Sequence, residues 1–517
     1  MMKTLNSYLS KLGMLCAATI ILSTSCKKNS TETPVIPDPV IPVVPIGPDV
    51  TFHALASNNT LLTFNGKNVS TATQTTAITG LATGETMLSI DFRPATGQLY
   101  GISNQSKLYT INRTTGATLA VGAVLSTAVS GTVASLDFNP TVDRIRLITS
   151  TGQNLRLHPE TGAVAAVDGA INGVTGASIQ GAAYTGNKSG STATTLFVID
   201  VATDKLYKQD PPNNGTLVEI GALGVDVESA GDFDISSDGT VSIAALKVGG
   251  VTGLYNINTT TGAATKVQNN FSATILGIAI PTEPVAYAVN SNNELVYFNP
   301  MNPAPVTKAI GGLQAGETVL GIDFRPANGG LYALGSTSRI YNINLGTGAA
   351  TAVGTSAFTT LLVGTDFGFD FNPTVDRIRI ISNTGQNLRA NPNDGTIAAV
   401  DGAISLAAGT AAITGAAYTN NFAGATTTTL FDIDAITGRL FRQDPPNNGT
   451  LVDIGALGVV ATSTNGFDIG GTSGVGYALL TVGGVTKVYT INLTSGAATA
   501  GATVTGNFRG MAVGLGF

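Results

Sequence analysis

The chain has 517 residues, a net charge of −6 and only 11% charged residues, with 63 glycines, no tryptophan and 43% hydrophobic residues. The hydrophobic content argues against disorder. The absence of a basic stripe argues against a nucleic-acid partner. Scarce charge with abundant Gly, Thr, Asn and Val suits short strands joined by tight turns.

The first thirty residues read as an export address. Lys3 and Lys11 precede an apolar run of eleven residues, Leu12 to Leu22, and Ser23-Thr24-Ser25 leads to Cys26. Basic, then apolar, then small is the layout of a secretory signal. The run falls short of the roughly 20 residues a membrane-spanning helix needs. The Cys after small residues resembles a bacterial lipobox, which implies cleavage before Cys26 and its acylation. Ser23 stands where Leu is commoner. Cys16 lies in the removed part, so the mature chain holds one thiol and no internal disulfide. Lys27 and Lys28 follow Cys26 in place of the Asp that retains such proteins at the inner membrane, which favours the outer membrane. The expected domains are a signal over 1–25, a lipidated Cys and tether over 26–49, and two repeat domains over 50–281 and 282–517. Pro34, Pro37, Pro39, Pro42, Pro45 and Pro48 punctuate the tether. Twenty residues of extended polyproline geometry span roughly 60 Å.

Everything after the tether is duplicated. Asp137-Phe138-Asn139-Pro140-Thr141-Val142-Asp143-Arg144-Ile145-Arg146 recurs unchanged as Asp370 to Arg379. Gln209 to Val225 recurs as Gln443 to Val459 with one change, Glu219 against Asp453. Each half also repeats internally as strand, turn, strand, turn, strand ending in Asn or Asp, Thr-Gly turn, strand. Five such units of roughly 45 residues per half match the spacing of four-stranded propeller blades. Each half ends in an orphan apolar strand, Ile275 to Ile280 and Gly510 to Gly514, while its first unit lacks an innermost strand. A terminal strand completing that blade would seal a ring and remove two open edges. The expected fold class is therefore all-β, as tandem β-propeller-like domains forming two five-bladed rings. One ten-bladed ring is the alternative, and a tandem of β-sandwiches is more distant.

Gly321-Ile322-Asp323-Phe324-Arg325-Pro326, Asp370-Phe371-Asn372-Pro373 with Asp376-Arg377-Ile378-Arg379, and Gln386-Asn387-Leu388-Arg389 carry a resemblance. Both halves resemble a bacterial family known only as a domain of unknown function, the four-three-nine-four family. The resemblance implies an exported, repetitive β architecture and no particular chemistry.

Few residues suggest catalysis. His53 and His158 are the only histidines and neither recurs in the second half. Zinc needs three or four N or S ligands, so no zinc site is expected. No phosphate loop or EF-hand occurs. Ser236-Ser237-Asp238-Gly239 and Asn393-Asp394-Gly395 read as hairpin turns, with calcium as a minor alternative. Asp91, Asp137 and Asp234, with Asp323, Asp370 and Asp468, end presumptive inner strands. Three acids about one axis could serve acid–base work on a glycan. The plainer reading has Asp91 and Asp137, in Asp-Phe-x-Pro, accepting N–H groups of their own turns.

Arginine offers the main candidate ligand site. Arg144 and Arg146 lie two apart on one strand face with Arg156 on the next strand, and Arg377, Arg379 and Arg389 repeat the set. Together with Asp137, Asp143, Asp370 and Asp376 they are the candidate ligand-binding residues, suited to an anionic group such as an acidic sugar. Internal pairing between blades, to Asp137, Asp143 and Asp168, is the simpler account. Gln209 to Gly215 reads as a structural turn. The sequence points to a non-catalytic binding or interaction lipoprotein of the envelope, with no cofactor and a glycan or envelope protein as partner. A carbohydrate-active enzyme and a structural or adhesive component are the alternatives.

Overall fold

Strand formation follows the sequence units closely. In the computed structural model, which describes residues 44–517 apart from Ala408, Thr410 and Ile436, every sheet is four-stranded and antiparallel, and there are ten of them. The signal, Cys26 and most of the tether lie outside the described residues. Among the described residues no helix is long and apolar enough to cross a membrane.

The innermost strands are Met87–Phe92, Ala134–Asn139, Ile179–Tyr184, Ser229–Ile235 and Ile275–Ala279 in the first half. Their almost unbroken burial reflects packing by neighbouring blades on both faces, which is why they read as short apolar runs rather than alternating ones. Outer strands such as Val164–Val167 alternate between half-buried and exposed, as expected where one face meets water. The Asn-x-x-Thr-Gly turns have a local cause. Asn112 Oδ1 accepts the N–H groups of Thr114 and Thr115 at 3.0 Å, and Asn258 repeats this with Thr260 and Thr261.

Ring closure decides between the two propeller arrangements. Ile275–Ala279 pairs with Thr51–Ala56, the first strand of its own half. Phe508–Val513 pairs with Ala286–Asn290 in the same way. Each half closes on itself, so the protein holds two five-bladed rings, and the ten-bladed arrangement falls because a single ring would pair each terminal strand with the other half.

The two rings dock through a built seam within the unit Val44–Phe517. One hydrophobic cluster joins Ala95 of the first ring to Val285, Tyr287 and Leu515 of the second. Tyr287 Oη donates to the Ala95 carbonyl at 2.9 Å, and Gly516 N–H donates to the Thr96 carbonyl at 2.8 Å.

Candidate functional site

Side chains two apart on a strand share a face, so each innermost strand sends alternate residues to the ring axis. At one level of the first ring these are Asp91, Asp137, Ala183, Asp234 and Ala279; in the second ring they are Asp323, Asp370, Ala417, Asp468 and Ala512. In each ring the three acids converge, offering carboxylate oxygens that lie within 4.8 Å of one another. All six acids are buried.

Each acid ties its strand to the next blade. Asp91 accepts the Phe138 N–H at 2.9 Å, Asp137 the Tyr184 N–H at 3.0 Å, and Asp234 the Ile280 N–H at 2.5 Å. Phe371, Tyr418 and Val513 donate to Asp323, Asp370 and Asp468 in the second ring. This corrects the expectation that Asp91 and Asp137 serve their own turns. Both lie inside a strand with the side chain toward the axis, out of reach of the turn amides. Burial, then repulsion among the three, pushes Asp91, Asp137, Asp323 and Asp370 well above the usual carboxylate range. Burial alone pushes Asp234 and Asp468 up to about 7, against the amides that favour their charged forms.

The neighbouring axial level differs between the rings. The first ring carries Ser89, Ser135, Gly181, Asp232 and Gly277; Ser89 Oγ donates to Asp232 at 2.7 Å. Burial pushes Asp232 up to about 8. The second ring carries Gly321, Gly368, Gly415, Gly466 and Gly510 instead. There the inner strands crowd so closely that a Cβ on Gly321 would stand 2.8 Å from the Phe369 Cβ. These glycines border a small cavity of 10 Å³ on the axis.

The arginines divide sharply. Arg146 is buried and fully engaged, donating to Tyr184 Oη, Asn154 Oδ1, Asp168 Oδ2 and, at 2.7 Å, Asn213 Oδ1 of the next blade. Arg379 repeats the set with Tyr418, Asn387, Asp401 and Asn447. The near-identical loops Gln209–Gly215 and Gln443–Gly449 thus present Asn213 and Asn447 to a buried guanidinium. Arg156 and Arg389, about a third exposed, each form a two-pronged pair with the same aspartates, Asp168 and Asp401. Asp143 is held bidentately by Arg93, and Asp376 by Arg325. Arg144 and Arg377 are half-buried, and each gives one N–H to the carbonyl of the preceding aspartate.

The seam was not foreseen. Arg93 is fully buried there, bonded to Asp143, to Glu160 at 3.0 Å and to the Gly329 carbonyl of the second ring at 3.0 Å. A cavity of 290 Å³ beside it is lined by Asp143, Ser189, Tyr287, Tyr297 and Lys308. A wider groove of 390 Å³ runs between Gln98, Asn112 and Arg113 of one ring and Asn420, Phe422 and Thr472 of the other. A signal for the seam does exist in the sequence: it uses positions where the duplication departs. Tyr287 and Tyr297 stand where the first half has His53 and Thr63; Asn391 and Asn393 stand opposite His158 and Glu160.

His53 Nδ1 meets Thr63 Oγ1 at 3.1 Å, and burial followed by Arg113 pushes its pKa down to about 4. Burial, then Arg144 and Arg93, pushes His158 down to about 4, and its Nδ1 accepts the Glu160 N–H.

None of the curated proteins matches the chain. Among solved structures it is similar, at 12% identity and a TM-score of 0.26, to an extracellular domain from B. thetaiotaomicron named as part of a one-component system, over 88% of this chain. The chain spans 65% of that domain's length. It is similar also to the dihydro-heme d1 dehydrogenase NirN in complex with DHE, at 11% identity and a TM-score of 0.25, over 80% of this chain and 75% of that one. Residues 60–279 and 294–512 each match the domain of unknown function DUF4394, and the chain belongs to that family.

Proposed function

We propose that the protein is a non-catalytic binding module of the cell envelope, anchored to the outer membrane through acylated Cys26 and lifted from it by the tether over 26–49. One observation carries the non-catalytic part. The two groups of three acids that converge among the described residues are buried and hold amides of the neighbouring blade. Acid–base work on a glycan needs carboxyls that reach a substrate bond, and these face each other across a packed axis.

Binding has better material at the surface. The seam groove presents Gln, Asn and Thr side chains with Phe422 and Arg113, a mixture that suits hydroxyl-rich or peptide ligands. Of the arginine set, Arg144 and Arg377 keep N–H groups for an acidic sugar or carboxylate partner.

The test presents the mature chain to an array of envelope glycans and proteins while assaying glycan hydrolysis. Retention without turnover is expected, with Asp137→Asn leaving affinity unchanged and Arg144→Ala weakening it about tenfold, the cost of one charged hydrogen bond. Turnover that disappears in Asp91→Asn would replace this reading with the enzyme. No retention of any glycan or envelope protein would leave a structural or adhesive component.

A further inference from the structure

The three carboxyl groups of each ring offer oxygens within 4.8 Å of one another and have no cationic side chain among their hydrogen-bond partners, so the ionised triad would need its charge compensated. The amide staples use one oxygen of Asp91, Asp323 and Asp370. The other oxygens, Asp91 Oδ1, Asp323 Oδ1 and Asp370 Oδ2, are buried without a hydrogen-bond partner. The other two inner strands carry alanine at the acid level in both rings, packed into the hydrophobic clusters between blades. In the second ring a 10 Å³ cavity, about the room one water occupies, lies at the glycine level, two residues along each inner strand from the triad.

We propose that each ring axis binds one Ca²⁺, held by Asp91, Asp137 and Asp234 in the first ring and by Asp323, Asp370 and Asp468 in the second. Three oxygens no more than 4.8 Å apart always share a point within about 2.8 Å of all three, a reach that admits the 2.3–2.6 Å bonds of calcium. An all-oxygen donor set excludes a preference for zinc or copper. The halves supply an internal comparison: the adjoining level has changed from Ser89, Ser135 and Asp232 to glycine, while the three acids and two alanines stand unaltered. The ion would join the inner strands of three blades at the centre of each ring.

The experiment uses the full chain, with calcium alone as probe. After equilibration with CaCl₂ and removal of free ion, mass spectrometry of the metal content is expected to give two Ca²⁺ per chain. Asp91→Asn and Asp323→Asn should each retain one, and the double variant none; the carboxamide oxygen still accepts the Phe138 or Phe371 N–H, which protects the fold. The wild-type chain gives a readout that needs no variant: at pH 8, Ca²⁺ should raise Tm by about 5 °C over EDTA. A calcium content near zero with equal Tm in both buffers overturns the proposal, as does calcium retained by the folded double variant.

Discussion

Ending the chain at Gly506 is expected to abolish the cooperative unfolding transition of the second ring. The deletion removes Phe508–Val513, the innermost strand of the blade that also holds Ala286–Asn290 and Glu294–Phe298. Phe508, Met511 and Val513 are buried in one cluster with Val296, Phe298 and Leu479. Each such side chain contributes about 1.5–3 kcal/mol, so the three together approach the 5–15 kcal/mol that holds a whole domain. The loss also strips Asp468 of the Val513 amide and exposes two inner strand edges. Thermal melting followed by limited proteolysis reads the result. The expected fragment pattern is cleavage throughout 282–506 with the first ring protected. A truncated chain that melts like the full one would show that closure by the terminal strand contributes little.

Replacing Asp432 by valine is expected to stabilise the protein by about 3 kcal/mol. Asp432 lies on the strand Leu430–Asp434, fully buried, with neither carboxyl oxygen hydrogen-bonded. Across the sheet it pairs with Ala416 and Phe441. The equivalent position in the first ring is Val198, buried in the matching cluster. An unsatisfied buried polar group costs about 1–3 kcal/mol, and the valine adds its own burial. The gain should depend on pH. Burial raises the Asp432 pKa well above the carboxylate range against a smaller opposing pull from Arg379. A group with a raised folded pKa favours the folded state fully below its unfolded pKa, near 4, and progressively less above it. The advantage of Asp432→Val should therefore be smallest near pH 4 and widen toward pH 7, by up to about 1.4 kcal/mol per pH unit. Equal denaturation midpoints at both pH values would mean that Asp432 has a partner in solution.

Much of this architecture was legible because it is written in periodicity. The duplication, the five units per half and the orphan strands at Ile275 and Gly510 are one-dimensional patterns, and an unpaired apolar strand has few places to go. The axial acids were visible as residues but not as a cluster. Asp-Phe-x-Pro is a strong turn signal, and it outweighed the strand to which Asp91 and Asp137 belong. Their convergence exists only once five separate strands surround one axis. The arginines show the same limit. Arg144 and Arg146 share a face, yet burial sends Arg146 into a cage made by Asn154, Asp168 and Asn213, while Arg144 stays half-exposed. No local pattern distinguishes the two, because Asn213 comes from a loop 67 residues on. The seam is hardest to see, since each half must fold before the other can meet it. Only the mismatches between the halves, such as Tyr287 against His53, mark where it forms.

The claim on which the rest depends is that the interior acids are spent on joining blades at sealed ring axes. Hydrogen exchange of the mature chain, resolved by mass spectrometry to single amides, addresses it directly. The amides of Phe138, Tyr184, Ile280, Phe371, Tyr418 and Val513, each donating to an axial carboxylate, should be among the slowest in the protein and should exchange only with global unfolding. Fast exchange at these six positions in a chain that is otherwise protected would mean that the axes open to solvent, and the acids would then be available for chemistry.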